Sequence, residues 1–399
     1  MPKLISLYTG VGGLDFGFEQ AGFQTSVALE LDPTCCNNLR ENRDWSVLEG
    51  DIHGISSAEI LEAAELATEE PDLLIGGPPC QPFSKSGYWA TGDARRLDDP
   101  RADTLDAYLR VLSDTRPKVF FLENVPGLAF KGKAEGLNRI VKGVEDINAT
   151  HSTAYKLSWQ IVNAADYGAP QMRERLVLIG DREGREFIFP EATHGPENRQ
   201  FRHHTAWDAL GDLPETPNET GLKMTGKWAD LLPTIPEGQN YLWHTDRGGG
   251  YPLFGWRRRY WNFLLKLSKD RPSWTIQAQP GSATGPFHWQ NRKLSSRELC
   301  RLQTFPDDVV LQGSRGDIQR MVGNAVPSLL SEVMGWEIRS QLLDGRTRPN
   351  QFKLEPPFRK CCPPENAIAP LPKKFAQLIG EHEPHPGEGR GYAAERRVA

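Results

Sequence analysis

The feature of this 399-residue chain that most constrains its fold is an alternation of strand-like and helix-like segments over the first 180 residues. Short apolar runs predict strands at residues 4–7, 25–29, 72–75, 118–122, 158–162 and 176–179. Between several of them, apolar residues recur at helical spacing, as over 57–68 and 104–112. Such alternation is typical of an open, mostly parallel sheet with helices on both faces. The sequence therefore predicts an α/β fold that binds ligands at the carboxyl ends of its strands.

The texture of the chain changes after Gly180, which predicts a second, smaller domain. Residues up to about 295 are rich in Pro, Gly, Trp and His and lack the earlier rhythm. Helical spacing returns over 295–303 and 324–343, whereas nine prolines and many charges from residue 346 onward disfavour a packed core. We expect a first domain over 1–189, an irregular domain over 190–286, a return to the first domain over 287–345 and an extended tail over 346–399.

Composition disfavours several classes of protein. No run of about 18 apolar residues offers a membrane span, and the chain starts without the pattern of a secretory signal, so a cytoplasmic location is expected. Six cysteines without a CxxC pair predict reduced thiols and no structural metal. The net charge of -5 argues against a nucleic-acid partner, yet residues 240–301 hold eleven Lys or Arg against three acidic residues, a local charge of +8. One face of the molecule is therefore expected to be basic.

Three short segments near predicted strand ends contain residues suited to ligand binding. Gly10, Gly12 and Gly13 follow the first strand and can form a tight turn that a ligand approaches closely, although a purely structural turn is the alternative. Glu30 ends the second strand, where nucleotide-binding sheets place an acid that accepts hydrogen bonds from a ribose. Asp51 follows the next apolar patch. Taken alone, each acid fits a solvated loop residue better than a ligand-binding one.

The segment from Gly76 to Ser84, which reads GGPPCQPFS, is the most informative in the chain. It follows a strongly apolar strand, and its two adjacent prolines stiffen the backbone ahead of Cys80. The thiolate of a free cysteine, whose pKa is about 8.5, is a strong nucleophile. A buried structural cysteine would need neither the prolines nor the polar Gln81 beside it. Cys80 is therefore the candidate nucleophile.

Another apolar strand ends abruptly in Glu123 and Asn124. A carboxylate at the tip of a buried strand loses hydration, which raises its pKa and lets it donate a proton near neutral pH. The alternative is an ion pair with an arginine of the segment from Gln171 to Arg175. Both interpretations can hold together, because Arg173 and Arg175 alternate on an extended segment and are expected to point to one face.

These motifs resemble those of the DNA cytosine-5 methyltransferases over about 320 residues of the chain. The matching segments, in order, are 8–17, 77–84, 123–125, 171–175, 297–306 and 323–327. Two positions depart from the family pattern, with Tyr8 in place of Phe and Ser328 in place of Pro. The resemblance implies an enzyme with a Rossmann-like, S-adenosylmethionine-dependent methyltransferase fold, and we expect it to be a monomer. It also implies that residues 190–286 form a target-recognition domain.

The resemblance assigns chemical roles to the residues at the strand ends. In this family a cysteine thiolate adds to C6 of cytosine, and C5 can then accept a methyl group from S-adenosylmethionine. Cys80 matches that nucleophile, and Glu123 matches the group that hydrogen-bonds or protonates N3. Arg175, with Arg173 behind it, matches arginines that contact the cytosine carbonyl and the nearby backbone. No residue is assigned as the base that removes the C5 proton.

The same resemblance implies how the cofactor is bound. Tyr8 would stack against the adenine, and the turn of Gly10, Gly12 and Gly13 would lie under the methionine moiety. Glu30 would bind the ribose hydroxyls, and Asp51 would bind the adenine amine. The remaining residues implied for the pocket are Ile52, Pro79 and Asn324. No metal is expected.

Double-stranded DNA is the partner that the resemblance implies, and its target base must be flipped out of the duplex at a cost of about a few kcal/mol. The implied DNA-contacting residues are Gln81, Ser84 and Ser86 after the cysteine, and Arg257, Arg258 and Arg259 in the recognition domain. Three adjacent arginines suit phosphates better than bases. The interleaved Trp243, Trp256, Tyr260 and Trp261 suit wedges or phosphate contacts, and the core of the small domain is their alternative location.

The preferred interpretation is a modification enzyme that methylates a short double-stranded DNA site, with a cognate restriction endonuclease as a functional partner. An RNA cytosine-5 methyltransferase of the same fold is one alternative, but the Cys-Phe-Thr tripeptide of its transfer-RNA-directed branch does not occur in the sequence. A catalytically idle DNA-binding regulator is another, and the presence of Cys80 argues against it. A dehydrogenase is disfavoured because the glycine spacing is not GxGxxG.

Overall fold

The computed structural model describes residues 1–79, 103–129, 135–196, 199–256 and 260–382. The strands of the main sheet are β1 (Lys3–Leu7), β2 (Gln24–Glu30), β3 (Ser46–Glu49), β4 (Leu73–Gly76), β5 (Val119–Asn124), β6 (Lys156–Asn163) and β8 (Glu174–Asp181). Their order across the sheet is β3-β2-β1-β4-β5-β8-β6. The short strands β7 (Gln171–Met172) and β9 (Ser273–Trp274) form a separate parallel pair.

The sheet is parallel from β3 to β5, and β8 runs antiparallel between β5 and β6. Successive side chains of a strand point to opposite faces, and both faces are buried here. Leu74 and Phe120 belong to an apolar cluster on one face, whereas Leu73 and Phe121 belong to a cluster on the other. The predicted α/β, Rossmann-like fold is confirmed.

The helices that cover the sheet and continue beyond it are α1 (Gly13–Gln20), α2 (Pro33–Asn42), α3 (Ser57–Ala63), α4 (Asp103–Thr115), α5 (Glu135–His151), α6 (Ala206–Leu210), α7 (Ser296–Leu302), α8 (Arg315–Asn324) and α9 (Ser328–Leu342). Helices α1 and α9 pack against each other, so a helix from residues 328–342 contacts the first helix of the chain. Gly12 caps α1 with a φ of 86°, a conformation that glycine adopts without strain. No helix in the described part of the chain is long and apolar enough to cross a membrane.

Two local predictions were wrong in instructive ways. Strand β3 was not predicted, because its residues lie at the sheet edge and are at most half-buried. The predicted helix over 324–343 begins only at Ser328. Helix α8 ends at Asn324, and Ala325 is already extended, with φ and ψ of -64° and 154°. The proline at 327 disfavours helical backbone at the residue before it, which separates the two helices.

Outside the sheet, two further apolar clusters organise the second half of the chain. One joins α1 and α2 to α6, α7 and α8. The other, which we call the small core, consists of Met224, Leu231, Leu232, Ile235, Tyr241, Leu253, Leu264, Phe287 and Phe375. Phe375 comes from the proline-rich tail and is 3% exposed.

The tail follows an extended path along this second half. Residues 346–382 contain one 3-10 turn, Lys373–Leu378, and are otherwise without helix or strand. Glu332 of α9 accepts hydrogen bonds from the backbone N–H groups of Lys353 and Leu354, at 2.8 and 2.9 Å. Farther along, Ala369 N–H donates to the carbonyl of Pro233 at 3.0 Å. The tail therefore connects α9 to the small core.

Candidate active site

The carboxyl ends of the central strands β4 and β5 lie side by side at one end of the sheet. Residues at the end of β5 and in α4 hold the segment before Cys80 in place. The side-chain amide of Asn124 donates to the carbonyl of Pro78 at 3.2 Å, and the hydroxyl of Thr104 donates to the carbonyl of Pro79 at the same distance. At Gly77 a Cβ would lie 3.0 Å from the carboxylate of Glu123, so glycine leaves room for that side chain. Cys80 itself lies outside the described residues.

The predicted acid and one predicted arginine form an ion pair at this edge. Nε of Arg175 lies 2.5 Å from Oε1 of Glu123, and both side chains are nearly buried. Strand register explains the contact, because β5 and β8 are antiparallel with Asn124 opposite Leu176. Burial raises the pKa of Glu123, and the charges of Arg175 and Arg173 only partly offset this effect. The two interpretations drawn from the sequence, a buried acid and an ion-paired acid, therefore hold together.

Arg173 has different partners from Arg175. It is fully buried, and its guanidinium donates to the carbonyls of Ile276 at 3.2 Å and Gly323 at 2.8 Å. Burial and the neighbouring charge of Arg175 lower its pKa well below the ordinary value. The two arginines are thus close enough to influence each other, but Arg173 binds backbone and Arg175 binds the carboxylate. Arg173 fixes the segment that ends in Asn324.

Two buried glutamines, to which sequence reasoning gave no role, connect the matching segments. Gln171 accepts a hydrogen bond from Ile276 N–H and donates to Gln303 at 3.1 Å in each case. Gln303 in turn donates to the carbonyls of Val322 at 2.6 Å and Ala325 at 3.1 Å. Their location inside the segments 171–175 and 297–306 was the available signal. Buried amides satisfied in this way fix the relative positions of the chains that they join.

The glycine turn after β1 borders open space and binds the carboxylate of Glu30. Gly10 has a φ of 58°, and nothing lies within 4 Å of the position that a Cβ would take. Its N–H donates to the carboxylate of Glu30 at 2.7 Å. At Gly13 a Cβ would come within 2.8 Å of Ala325, so the turn packs tightly on the residue after Asn324. The Ser328 hydroxyl secures this contact by donating to the carbonyl of Gly13 at 2.8 Å.

The remaining predicted cofactor residues lie around the same turn. The hydroxyl of Tyr8 donates to the carbonyl of Thr104 at 2.7 Å, and burial together with the charge of Asp51 raises its pKa. Asp51 is exposed and accepts a hydrogen bond from His53 N–H at 3.0 Å, whereas Ile52 is buried. The side chains of Pro79 and Asn324 are exposed. Carboxylates beside an open glycine turn fit the hydroxyls and amines of a nucleoside, so these residues fit S-adenosylmethionine.

Three of the eleven basic residues over 240–301 bind groups within the protein. Lys266 donates to the carbonyl of Ile235 and is buried, and buried Lys269 pairs with Glu237 at 2.5 Å. Arg292 forms a two-pronged pair with Glu298 at 2.7 and 2.8 Å. The local charge of +8 is therefore not a measure of surface charge. The predicted DNA-contacting residues Gln81, Ser84, Ser86, Arg257, Arg258 and Arg259 lie outside the described residues.

The aromatic residues of the small domain divide between its core and its surface. Trp243 packs against the small core. Trp261 is partly exposed and meets Trp274 edge to face, with ring centroids 4.7 Å apart. Tyr260 is also exposed, and Trp256 lies under the guanidinium of Arg247 at 4.1 Å. Among the described residues, Tyr260 and Trp261 therefore lie at the surface and not in the small core.

Comparison with known proteins identifies the class. Residues 2–340 match the family of C-5 cytosine-specific DNA methylases. The chain is 41% identical over 383 residues to the Type II methyltransferase M.SacI of Streptomyces achromogenes. The match covers 87% of this chain and 96% of that protein. It is 44% identical over 245 residues to the Type II methyltransferase M.AquIA of Picosynechococcus, covering 58% of this chain and 97% of that protein.

The fold has solved counterparts as well. A crystal structure of a putative DNA modification methyltransferase encoded within an E. coli prophage superposes with a TM-score of 0.63 at 22% identity, covering 86% of this chain and 99% of that one. The chain belongs to the C-5 cytosine-specific DNA methylases and is a DNA (cytosine-5) methyltransferase. The resemblance predicted from the six motifs is confirmed, and membership of this family implies use of S-adenosylmethionine.

Proposed function

We propose that this enzyme methylates C5 of a flipped-out cytosine within one short double-stranded DNA site, as the modification enzyme of a restriction-modification system. The observation that supports this proposal most strongly is the buried pair of Glu123 and Arg175, 2.5 Å apart, beside the Gly77–Pro79 segment that leads into Cys80. In the proposed mechanism this pair supplies a proton donor and a cation, and Cys80 supplies the nucleophile.

In the proposed mechanism the thiolate of Cys80 adds to C6 of the cytosine. Glu123, whose burial favours the protonated form, donates a proton or hydrogen bond to N3 as negative charge develops on the ring. Arg175 holds the Glu123 carboxyl in place and presents its guanidinium to the cytosine carbonyl. Arg173 lies behind it and positions the strand through the carbonyls of Ile276 and Gly323. S-adenosylmethionine, when bound, supplies the methyl group that C5 accepts.

The proposed cofactor pocket is built around the turn after β1. With S-adenosylmethionine bound, Glu30 would accept hydrogen bonds from the ribose hydroxyls, and Asp51 would bind the adenine amine. Tyr8 would stack against the adenine, and its hydrogen bond to Thr104 fixes the ring. The other residues proposed to line the pocket are Gly10, Gly12, Gly13, Ile52, Pro79 and Asn324. The proposed mechanism assigns no role to a metal ion.

Residues 190–286 are proposed as the target-recognition domain, between catalytic segments 1–189 and 287–345. The support is that most of the small core comes from this range. Loop residues Gln81, Ser84 and Ser86 and the arginines 257–259 are proposed to contact DNA. We further propose that the enzyme acts as a monomer in the cytoplasm and that a cognate restriction endonuclease is its functional partner.

The test is to express the enzyme in a host that lacks cytosine methylation and to locate 5-methylcytosine in plasmid DNA by bisulfite sequencing. We expect protected cytosines at every copy of one short sequence and nowhere else, with none in cells that express the Cys80→Ser variant. Transfer RNA from the same cells is the matched control substrate. Modified transfer RNA with unmodified plasmid would favour the RNA methyltransferase. The absence of 5-methylcytosine from both plasmid and transfer RNA would favour the idle regulator.

A further inference from the structure

Three potential metal ligands from distant parts of the sequence lie close together, two in the segment between β8 and α6 and one in the tail. His194 lies in the loop after β8, His204 directly precedes the cap of α6, and Glu355 lies in the tail. One ligand atom from each lies within 4.8 Å of the others. We propose that these residues form a structural site for a divalent cation of the zinc type, which fastens the tail to the rest of the enzyme.

The distances among the ligand atoms suit such an ion. Nε2 of His194 and Nε2 of His204 lie 3.1 and 3.3 Å from the same oxygen, Oε1 of Glu355. Zinc bonds to imidazole nitrogen and carboxylate oxygen are about 2.0–2.2 Å long, so two ligands at a tetrahedral angle lie roughly 3.3 Å apart. Nitrogen and oxygen donors of this kind are ordinary zinc ligands. The two nitrogen–oxygen distances therefore match those between ligands of a tetrahedral zinc ion, and all three ligand atoms lie within 4.8 Å of one another.

Hydrogen bonding within the protein leaves one of these nitrogens unexplained. His194 is 3% exposed, yet its Nε2 has no partner of hydrogen-bond geometry among the described residues, although Oε1 of Glu355 is only 3.1 Å away. A buried nitrogen whose contact with its oxygen neighbour is poorly directed costs free energy. A cation between the nitrogen and the oxygen would satisfy both, because it accepts a lone pair from each.

The outward nitrogens of the two imidazoles face oxygen atoms, as expected of histidines that bind a metal. Nδ1 of His194 lies 2.9 Å from the hydroxyl of Thr193, and Nδ1 of His204 faces Oδ2 of Asp208 at 3.7 Å. In both rings the other nitrogen, Nε2, faces Glu355 and is the atom that would bind the ion. Phe358 of the tail stacks on His204 with ring centroids 3.9 Å apart and covers the cluster. A water molecule would complete the four-coordinate ion.

This proposal revises the expectation that the protein has no structural metal. That expectation rested on the lack of a CxxC pair, which is a signal for thiolate sites only. His204 and Glu355 are separated by 151 residues and show no recognisable spacing. The site shares no residue with the proposed catalytic or cofactor residues, so its loss is distinguishable from failure of the methylation mechanism.

The experiment measures bound metal in full-length enzyme. Protein stripped with a chelator is incubated with zinc chloride, passed through a desalting column and analysed by mass spectrometry for zinc, and its melting temperature is recorded with and without zinc. Cys361 and Cys362 are exposed and could bind zinc on their own. All proteins therefore contain Cys361→Ser and Cys362→Ser. The variants are His204→Gln and Glu355→Gln, and the matched control is His203→Gln, since His203 contacts Asp166 instead, at 2.9 Å.

We expect one zinc ion per chain in the parent and in the His203→Gln control, with a higher melting temperature when zinc is present. His204→Gln and Glu355→Gln should each weaken zinc binding at least tenfold and abolish the zinc-dependent rise. Cobalt bound to the parent should show the visible absorption of a four-coordinate ion, a readout that needs no variant. A parent protein that retains no zinc, or variants that bind it as tightly as the parent, would overturn the proposal.

Discussion

The catalytic edge of the sheet and the small domain with its tail place their polar residues by different means. At the sheet edge, Glu123 and Arg175 meet because two strands pair in a fixed register. In the small domain, buried Lys269 pairs with Glu237 and also donates to the carbonyl of Pro364 in the tail, at 2.5 and 3.0 Å. The first arrangement follows from regular backbone, whereas the second depends on individual contacts between distant residues.

This difference predicts different responses to mutation. A regular sheet covered on both faces is stable without its functional side chains, so substitutions at the edge should change activity more than stability. An irregular domain held by a few buried contacts should lose stability when one of them is removed. The predictions below test this separation between the two regions.

The largest effect is expected from Cys80→Ala. Because the variant lacks the proposed nucleophile for C6, methyl transfer should fall to background, while DNA binding and the melting temperature remain those of the parent. Transfer of tritiated methyl groups to DNA and a gel-shift titration measure the two properties. Appreciable turnover by the variant would remove Cys80 from the mechanism.

Glu123→Gln should lower the rate of methyl transfer by about 100-fold or more, as is typical when a proton donor is lost. Since burial raises the pKa of Glu123, its protonated form persists to higher pH than that of an ordinary glutamate, and the parent rate should decline as pH rises through that pKa. Single-turnover rates across pH test both points, and an unchanged alkaline decline in the variant would show that another group causes it.

Phe375→Ala should destabilise the small domain by about 3 kcal/mol, because a buried ring leaves a cavity beneath the tail. Its ring stacks on Trp228, with centroids 5.8 Å apart. Urea unfolding followed by tryptophan fluorescence measures the effect. Lys374→Ala is the matched control: it removes an exposed ion pair to Asp230 and should leave the transition midpoint unchanged. Equal midpoints for both variants would mean that the tail does not stabilise this domain.

The smallest effect is expected from Ser328→Ala, which removes the hydrogen bond to the carbonyl of Gly13. The loss of one buried hydrogen bond should cost about 1 kcal/mol of unfolding free energy. Because that bond secures the glycine turn, the KM for S-adenosylmethionine should rise while kcat changes little. A lower kcat at unchanged KM would contradict the role assigned to this contact.

The sequence was most informative where backbone periodicity sets the structure. Six of the seven strands of the main sheet were predicted, and Glu123 and Arg175 were placed at one edge from their positions at strand ends. The ion pair between Lys269 and Glu237 could not be foreseen, because 32 residues of irregular chain separate its members. The same holds for the burial of Phe375, which depends on the path of an extended tail. Local patterns predict local structure, and long-range contacts between loops leave no periodic signal.

Covalent capture of the target base tests the central claim most directly. DNA that contains 5-fluorocytosine at the mapped site is incubated with the enzyme and S-adenosylmethionine, and the products are separated on a denaturing gel. Fluorine at C5 cannot leave as a proton does, so the account predicts a stable protein–DNA adduct with the parent enzyme and none with Cys80→Ser. An enzyme that methylates ordinary DNA at that site but forms no adduct would contradict it.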